Sequence, residues 1–270
     1  MKSPVPYFGS KQRIAPWIVS LLPAHEHYVE PFCGGLSVLL AKTPSNMETV
    51  NDLDGDLMTF WRVLRDRPAE LIRACALTPH SRVELADAHE PAADELELAR
   101  RIWSRLAQGR SGTLRQTGWR HYIAPAGSSI GMPGYMDAYV DRLAAAAERL
   151  HHVSLEALPA LDVIAKYGAA RDALLYVDPP YLGSTRPWSN YRVEMKGEQD
   201  HRDLAAALQD CKATVVLSGY DSPLYADLYA DWHRYEQQTM TGNAKTAKDR
   251  TEVVWANRPL AGQDGLWPAA

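Results

Sequence analysis

An Asp-Pro-Pro-Tyr sequence at residues 178–181 directly follows the apolar run 174–177, which predicts a buried strand. An acid at the carboxyl end of a strand lies where open α/β sheets bind their ligands. The prolines leave the carbonyl oxygens of Asp178 and Pro179 able to accept hydrogen bonds, and Tyr181 offers a flat aromatic face. This set would suit an amino group attached to an aromatic ring. A strand-to-loop turn capped by the aspartate is the alternative.

A loop with the sequence Glu-Pro-Phe-Cys-Gly-Gly occupies residues 30–35, between a predicted strand at 27–30 and a predicted helix that ends at Pro44. Adjacent glycines let a backbone approach a ligand closely and leave amide groups directed at it. The loop lacks the GxGxxG fingerprint of dinucleotide-binding sites, which disfavours a dehydrogenase. A tight turn with no ligand is an equally good interpretation of this loop alone.

Asp52 lies about 20 residues after this loop, at the end of the next predicted strand, where nucleotide-binding sheets place a ribose-binding acid. A carboxylate there can hydrogen-bond both hydroxyls of a ribose. Asp54 and Asp56 follow at a spacing of two, and we expect them to cap the helix that begins there. Asp52 is therefore the acid with a predicted ligand.

Positive charge is concentrated in one stretch of a chain whose formal net charge is −4. Residues 100–122 contain arginines and aromatic residues but no acid. Arginines with aromatic neighbours suit contacts to phosphates and bases. We expect Arg101 and Arg105 on a solvated helix face, in a structural or phosphate-facing role. The candidates for binding nucleic acid are Arg110, Arg115, Trp119 and Arg120, together with Lys245 and Arg250 in a second basic stretch at 241–250.

Hydrophobic periodicity places these residues on an α/β fold. Helices are predicted at 11–22, 57–64, 93–106 and 136–150, and strands at 27–30, 49–51, 153–155, 174–177 and 214–217, with a closing hairpin of 232–239 and 252–255. The order strand, loop, helix, strand, acid is the first half of a nucleotide-binding βαβ unit. We predict a doubly wound, Rossmann-like sheet with an antiparallel closing hairpin, formed by residues 1–64 and 151–270. A mostly helical insert is predicted at 65–150.

The composition and the motifs disfavour several other classes of protein. Hydrophobic residues make up 46% of the 270 residues, so the chain can bury a core. The three cysteines, Cys33, Cys75 and Cys211, form no CxxC pair, which disfavours a disulfide scaffold and a cysteine zinc site. No spacing of histidines and carboxylates resembles a metal site, and no apolar run is long enough to span a membrane. We expect a soluble, cytoplasmic protein that uses no metal.

The motifs, taken in order, resemble those of the DNA N6-adenine methyltransferases. Tyr-Phe-Gly-Ser-Lys at 7–11, the 30–35 loop, Asn-Asp-Leu-Asp at 51–54, the basic insert and the 178–181 tetrapeptide follow one another as they do in that family. The likeness runs from residue 6 to residue 257. The chain resembles in particular the group of this family whose target-recognition region lies between the cofactor loop and the Asp-Pro-Pro-Tyr loop.

The resemblance implies an enzyme that transfers a methyl group from S-adenosylmethionine to N6 of a flipped adenine in double-stranded DNA. It implies cofactor contacts by Tyr7, Lys11, Glu30, Phe32, Gly34, Asp52 and Asp178. Asp178, Pro179 and Tyr181 would form the catalytic set, in which Tyr181 stacks on the flipped base. A cognate restriction endonuclease is the protein partner that the resemblance suggests.

Three alternatives stay open from the residues alone. An exocyclic amine on cytosine would fit the same acceptors, although the motif for N4-cytosine methylation more often begins with serine. Methylation of RNA or of a protein glutamine is a second alternative. A non-catalytic DNA-binding protein could keep the same shell, but the presence of Lys11, Asp52 and Asp178 counts against it.

Overall fold

The computed structural model describes residues 1–122, 131–182, 195, 197–241 and 248–260, without the side chains of 239–241 and 248–250. Within these residues seven strands form one sheet: β1 (His27–Glu30), β2 (Met47–Asn51), β3 (Val153–Glu156), β4 (Ala173–Val177), β5 (Thr214–Gly219), β6 (His233–Thr241) and β7 (Lys248–Ala256). Their order across the sheet is β3-β2-β1-β4-β5-β7-β6. The first five pair in parallel, whereas β7 is antiparallel to β5 and β6. The predicted α/β fold with an antiparallel closing hairpin is confirmed.

The α-helices of the described residues are α1 (Ala15–Leu21), α2 (Gly55–Asp66), α3 (Pro68–Ala76), α4 (Arg82–Asp87), α5 (Glu95–Gln108), α6 (Met132–Val140), α7 (Leu143–Leu150), α8 (Ala160–Gly168), α9 (Glu198–Gln209) and α10 (Pro223–Leu228). A 3₁₀ turn at Arg110–Gly112 follows α5. Helices α2 to α7 all lie between β2 and β3 in the chain. None of the helices in the described ranges is both long and apolar enough to cross a bilayer.

The sheet is buried on both faces, as its apolar parallel strands require. On one face Tyr28 of β1 belongs to a hydrophobic core that also contains Trp61 of α2 and Trp103 of α5. On the other face the next residue, Val29, belongs to a second core with residues of α8, α9 and α10, including Leu204. The helices between β2 and β3 therefore share one of the two cores with the sheet.

The predicted helix before Pro44 is wrong, because residues 36–42 form a series of turns. Leu36 has a φ of +56°, which lies outside the right-handed helical region. The buried carboxylate of Glu30 accepts the backbone N–H of Leu39 at 2.8 Å. In a helix that N–H would bond to a carbonyl four residues earlier. The apolar spacing of this segment reflects burial against the sheet rather than helical structure.

Three predicted boundaries also move. Helix α1 begins at Ala15 because Lys11 lies in a preceding turn, with its carbonyl accepting the N–H groups of Ile14 and Ala15. The helix predicted at 136–150 is divided into α6 and α7, since the N–H of Arg142 bonds to the carbonyl of Tyr139 in a tighter turn. The hairpin strands are longer than predicted, because pairing continues along β6 and β7 over nine residue pairs.

A buried ion cluster links α7 to the start of β2. Glu48 is 4% exposed, and its Oε1 accepts hydrogen bonds from Lys42 Nζ at 2.6 Å and from Arg149 Nη2 at 2.8 Å. Arg149 also donates to the carbonyl of Leu39 at 3.3 Å. Burial alone would raise the pKa of Glu48, but the hydrogen bonds from Arg149 and Lys42 hold this pKa below its ordinary value.

Replacing Glu48 with alanine should lower the free energy of unfolding by about 3–5 kcal/mol, because it leaves two buried cations without a counter-charge. In the wild-type protein the contribution of Glu48 is present above its unfolded-state pKa and is lost as the pH falls through its depressed folded-state pKa. Urea unfolding at several pH values measures both effects. Glu70→Ala, which breaks an exposed ion pair with Arg67, is the control and should have a much smaller effect. Equal losses in the two variants would contradict the role of the cluster.

Candidate active site

The carboxyl ends of β1, β2 and β4 open onto a cavity of about 260 Å³. Neighbouring parallel strands end at the same edge of a sheet, so the loops that follow these strands converge there. The cavity is lined by Tyr7, Lys11, Glu30, Phe32, Gly34, Asp52 and Asp178, among others. The structure thus brings together all the residues for which the resemblance implies cofactor contacts.

The two glycines of the 30–35 loop accommodate the ring of Tyr7. Gly34 has a φ of +45°, and a Cβ built on it would lie 2.9 Å from Tyr7 Cε1. A Cβ on Gly35 would lie 2.8 Å from Tyr7 Cβ. The sequence argument assigned both glycines to close approach of a ligand. In the structure, their lack of side chains allows the amino-terminal segment to pack on the loop.

Asp52 fixes the same loop from the other side. Its Oδ2 accepts the N–H of Gly34 at 3.0 Å, and its Oδ1 accepts the N–H of Asp54 at 3.0 Å. Burial raises the pKa of Asp52 to about 6, although these N–H bonds favour the charged form. Asp54 accepts the N–H groups of Asp56 and Leu57 and is the N-cap of α2. The predicted capping role is confirmed for Asp54, and Asp56 lies in the first turn of the helix.

Glu30 is a buried carboxyl group at the end of β1. It is 2% exposed, and its Oε1 accepts the hydroxyl of Tyr28 at 2.7 Å and the N–H of Leu39 at 2.8 Å. Burial raises the pKa of Glu30 to about 8, against the effect of these two hydrogen bonds. A cationic ligand in the cavity would favour the ionised form of this group.

Lys11 and Asp178 form a buried ion pair, with 2.9 Å between Lys11 Nζ and Asp178 Oδ1. Lys11 is 6% exposed and also donates to the carbonyl of Gly9 at 3.0 Å. Burial disfavours the ammonium form, but the carboxylates of Asp178 and Glu252 raise the pKa of Lys11 above its ordinary value. Burial raises the pKa of Asp178, while Lys11 acts in the opposite direction. The pair holds the acid in a fixed orientation beside the cavity.

Tyr181 lies next to this pair. The Lys11 ammonium is 4.6 Å from the centre of the Tyr181 ring, and the Tyr181 hydroxyl donates to Glu252 Oε2 at 3.2 Å. The ring meets that of Tyr220 edge to face, with 4.6 Å between the ring centres. Pro179 is buried between Asp178 and the rest of the loop. Asp178 and Tyr181 therefore lie in one cluster with Lys11 and Glu252, whereas Pro179 and Tyr181 are not among the residues that line the cavity.

Sequence reasoning missed some of the residues at this site. Glu252 had one signal, since it is a carboxylate directly before the apolar run 253–256 on a predicted strand. Residues 159–161 at the start of α8, and Asp200 and Asp203 of α9, also line the cavity. They had no signal, because a local pattern does not show which distant helix will pack over a strand end. The described part of the chain gathers no three His, Cys, Asp or Glu residues into a group that could hold a metal ion.

Two arginines of α5 bind the backbone before that helix. Arg105 is 8% exposed, and its Nε donates to the carbonyl of Ala88. Arg101 pairs with Glu97 and donates to the carbonyl of Glu90 at 2.8 Å. The expected solvated helix face is wrong for Arg105, because backbone carbonyls removed from water need donors. The alternative expectation of a structural role describes both residues.

The loop after α5 carries three of the arginines predicted to contact nucleic acid. Arg110 and Arg115 are exposed. Arg120 is half-buried and donates to the carbonyl of Ala107 at 2.8 Å. Backbone hydrogen bonds from Arg110 to Gly118 and from Arg120 to Gln108 close the loop. Arg110 and Arg115 are therefore presented to solvent on a loop with a defined backbone.

Trp119 lies within a cluster of rings on the same loop. It stacks on His80 and on His121, with 4.3 Å and 5.1 Å between ring centres, and Arg82 lies 4.5 Å from its ring centre. The cluster joins the loop to the start of α4. Of the second basic stretch, Lys245 lies outside the described residues. Arg250 lies on β7 opposite Thr239, and its side chain is not described.

The loop after α5 also contacts the amino-terminal segment. The N–H of Phe8 bonds to the carbonyl of Gly112 at 2.7 Å. Gly112 has a φ of +61°, and a Cβ there would lie 2.9 Å from the carbonyl oxygen of Pro6. Glycine is therefore required by conformation and by space. The contact joins the loop that carries Arg110 to the segment that carries Tyr7.

Known proteins resemble this chain in sequence. The family model of the D12 class N6 adenine-specific DNA methyltransferases matches residues 7–105 and 138–243. A type II methyltransferase of Lactococcus lactis subsp. cremoris is 27% identical over 269 residues, with 92% of this chain and 93% of the relative covered. Two solved structures have TM-scores of 0.38. A precorrin 8W decarboxylase of Methanobacterium thermoautotrophicum is 10% identical, with 95% of this chain and 94% of that chain covered. An rRNA methyltransferase of Streptomyces viridochromogenes is 14% identical, with 93% of this chain and 85% of that chain covered. These two distant likenesses support no conclusion about function.

Gly34→Ala should lower the free energy of unfolding by about 1–2 kcal/mol, because a side chain is strained at positive φ and would collide with the Tyr7 ring. Gly55→Ala is the matched control, since nothing lies within 4 Å of a Cβ built at the start of α2. The control should be neutral or slightly stabilising. Urea unfolding of the two variants measures the difference. A Gly34 variant as stable as the control would show that Tyr7 does not require a glycine there.

Proposed function

Because this chain belongs to the D12 class N6 adenine-specific DNA methyltransferases, we propose that it binds S-adenosylmethionine in the cavity and methylates an adenine flipped out of the duplex. Membership of this family favours adenine in DNA over the cytosine, RNA and protein alternatives, and an enzyme over a non-catalytic binding protein. The type II relative supports a cognate restriction endonuclease as a partner. Residues 1–64 and 151–270 are the proposed catalytic segments.

The residues of the cavity fit S-adenosylmethionine. Asp52 stands at the end of β2, where a carboxylate can accept hydrogen bonds from both ribose hydroxyls. Glu30 places a buried carboxyl group beside the cavity, and Phe32 adds an aromatic wall. Tyr7 closes the cavity over Gly34. When bound, S-adenosylmethionine supplies a methyl group activated by its sulfonium sulfur.

Asp178 and Pro179 are proposed to prepare the adenine amine. This amine is a poor nucleophile, because its lone pair is delocalised into the ring. Hydrogen bonds from the amine to the Asp178 carboxylate and the Pro179 carbonyl would favour a pyramidal nitrogen whose lone pair points at the methyl group. Transfer of the methyl group would break its bond to sulfur, leave a thioether and make the nitrogen cationic, and the Asp178 carboxylate would then take up one of the nitrogen's protons. Positioning and electrostatics lower the barrier.

The observation that carries this proposal is the 2.9 Å ion pair of Lys11 and Asp178 beside the cavity. Lys11 fixes one oxygen of Asp178 and so sets the direction of the other. The raised pKa of Asp178, which burial causes, suits a group that must accept a proton. Tyr181 adjoins the pair and is the proposed stacking surface for the base.

The insert at 65–150 is the proposed DNA-recognition region. Arg110 and Arg115 are exposed on the loop after α5, and Arg120 follows on the same loop. Arginines of this kind can neutralise phosphates or read guanine edges. The bond from Phe8 to Gly112 places this loop next to the amino-terminal wall of the cavity. Lys245 and Arg250 of the hairpin are the second proposed DNA contact.

Asp178→Asn should reduce methyl transfer by about a hundredfold or more, because the amide keeps the shape but cannot accept the proton. Transfer of a labelled methyl group to unmethylated duplex DNA measures turnover. Cofactor binding measured by calorimetry should stay close to wild type and the variant should fold, but urea unfolding should show a loss of stability because Lys11 loses a buried counter-charge. Asp162→Asn removes an exposed acid from the first turn of α8 and is the control, with turnover expected to be normal. Retention of more than a few per cent of turnover by Asp178→Asn would contradict the proton-acceptor role.

Alanine substitution of Arg110, Arg115 and Arg120 should weaken DNA binding in one of two ways. Loss of a phosphate contact reduces the log–log salt slope by about one, equally on all sequences. Loss of a base contact costs about 1–3 kcal/mol at a single base position. Affinity measured at several salt concentrations and on variant sites separates the two. Arg73→Ala, on α3 of the same insert, is the control. Unchanged affinity in all three loop variants would move recognition to the hairpin.

A further inference from the structure

Glu252 is a buried carboxylate that the proposed mechanism does not use. It lies on β7, is 7% exposed, and precedes residues that are fully apolar and buried. The pairing of β5 with β7 places Val253 opposite Gly219. Glu252 therefore lies beyond the end of β5, beside the loop that begins with Tyr220. This is the edge of the sheet where β4 ends in the catalytic tetrapeptide.

The carboxylate of Glu252 is shared by two tyrosines from different loops. It accepts the Tyr181 hydroxyl at 3.2 Å, and the Tyr220 hydroxyl lies near enough to act as a second donor to it. The rings of Tyr181 and Tyr220 meet edge to face, with an angle of 67° between their planes and 4.6 Å between their centres. One acceptor thus fixes the angle between an aromatic residue of the β4 loop and one of the β5 loop.

Lys11 also contacts the Tyr181 ring. Its ammonium lies over the Tyr181 ring at 4.6 Å from the centre, so one face of that ring is covered. A base that stacks on Tyr181 must therefore approach the other face. The carboxylates of Asp178 and Glu252 both lie close enough to Lys11 to raise the pKa of its ammonium group, against the effect of burial. A single cation thus serves two carboxylates of the same cluster.

A carboxylate is a costly choice for this strand position. Removing it from water is unfavourable, and an apolar residue of similar size would pack into the core at no such cost. Replacement of a buried polar group together with its partners is often neutral or stabilising. The carboxylate is therefore best explained by what it holds, which is the pair of tyrosines.

We infer that Glu252 is a positioning residue of the methyl-transfer reaction, which orients Tyr181 and Tyr220 to form the slot that receives the flipped adenine. This inference rests on the proposed function, because it concerns the same site. Glu252 acts through the two phenols and does not itself touch the substrate. Its effect falls on the step in which the base is held for reaction and not on the binding of cofactor.

The test uses the full chain with Glu252→Gln, which keeps the size and removes the charge. Methylated sites are first mapped in DNA from a methylation-free host, and 2-aminopurine is then placed at the target adenine of a duplex. We expect kcat to fall by about tenfold to a hundredfold, the effect of losing hydrogen bonds to a charged group. The fluorescence increase of 2-aminopurine on binding should also be reduced. Cofactor affinity should stay within about twofold of wild type, because Glu252, Tyr181 and Tyr220 are not among the residues that line the cavity.

Two further variants separate positioning from a general loss of structure. Thr251→Val changes the neighbouring residue, whose hydroxyl contacts Gln238, and should leave both readouts at wild-type level. Tyr220→Phe removes one phenol donor and leaves the carboxylate in place. If Glu252 acts through the tyrosines, the double variant Tyr220→Phe, Glu252→Gln should be little worse than Glu252→Gln alone.

The outcomes distinguish this inference from the proposed function. Wild-type turnover and fluorescence in Glu252→Gln would overturn the inference, and so would a loss of cofactor affinity parallel to the loss of turnover. If Glu252→Gln does not fold, Tyr220→Phe decides, since it must then reduce kcat and the fluorescence signal with cofactor affinity unchanged. A wild-type chain that methylates no DNA would instead contradict the proposed function.

Discussion

Within the described residues, the ammonium group of Lys11 is paired with one acid of the candidate active site and lies near a second. Its pairing with Asp178 at 2.9 Å is possible only if the segment before α1 meets the end of β4, about 170 residues away in the chain. Glu252 adds a second carboxylate from β7, so the hairpin is subject to the same constraint. Loss of any one partner would leave a buried charge uncompensated, which costs several kcal/mol. The amino-terminal segment that carries Lys11 also packs on the 30–35 loop, through Tyr7 and the two glycines.

Much of the fold could be predicted from local patterns. The strands at 27–30 and 174–177 are short apolar runs that end in an acid or a proline, and both lie where the periodicity indicated. The capping role of Asp54 followed from its place before a helix with a clear apolar face. The order of the motifs around the sheet was sufficient to predict which loops would meet at one cavity. These features depend on neighbouring residues, and so they are visible in sequence.

The features that escaped prediction depend on partners far away in the chain. Residues 36–42 have helical spacing, but a buried carboxylate at Glu30 takes the N–H of Leu39 that a helix would need. Arg105 resembles a residue of a solvated face, yet it supplies the donor for a buried carbonyl at Ala88. The glycines at 34 and 35 suggested a ligand and do line the cavity, but no local pattern indicated that a tyrosine from the amino-terminal segment would pack against them. In each case a contact with a distant part of the chain, which no local pattern shows, determines the local structure.

On the proposal that the insert recognises DNA, the hydrogen bond between Phe8 and Gly112 limits how the sequence specificity of this protein can change. The insert could not simply be replaced by that of another protein, because its loop packs against the carbonyl of Pro6 and requires a glycine at residue 112. A foreign insert would have to bring its own matching residues 6–8, which lie close to Lys11 in the chain. Divergence by substitution of exposed side chains such as Arg110 and Arg115 meets no such obstacle, because the backbone that presents them stays unchanged. In this architecture, change of specificity by point substitution is structurally easier than change by recombination.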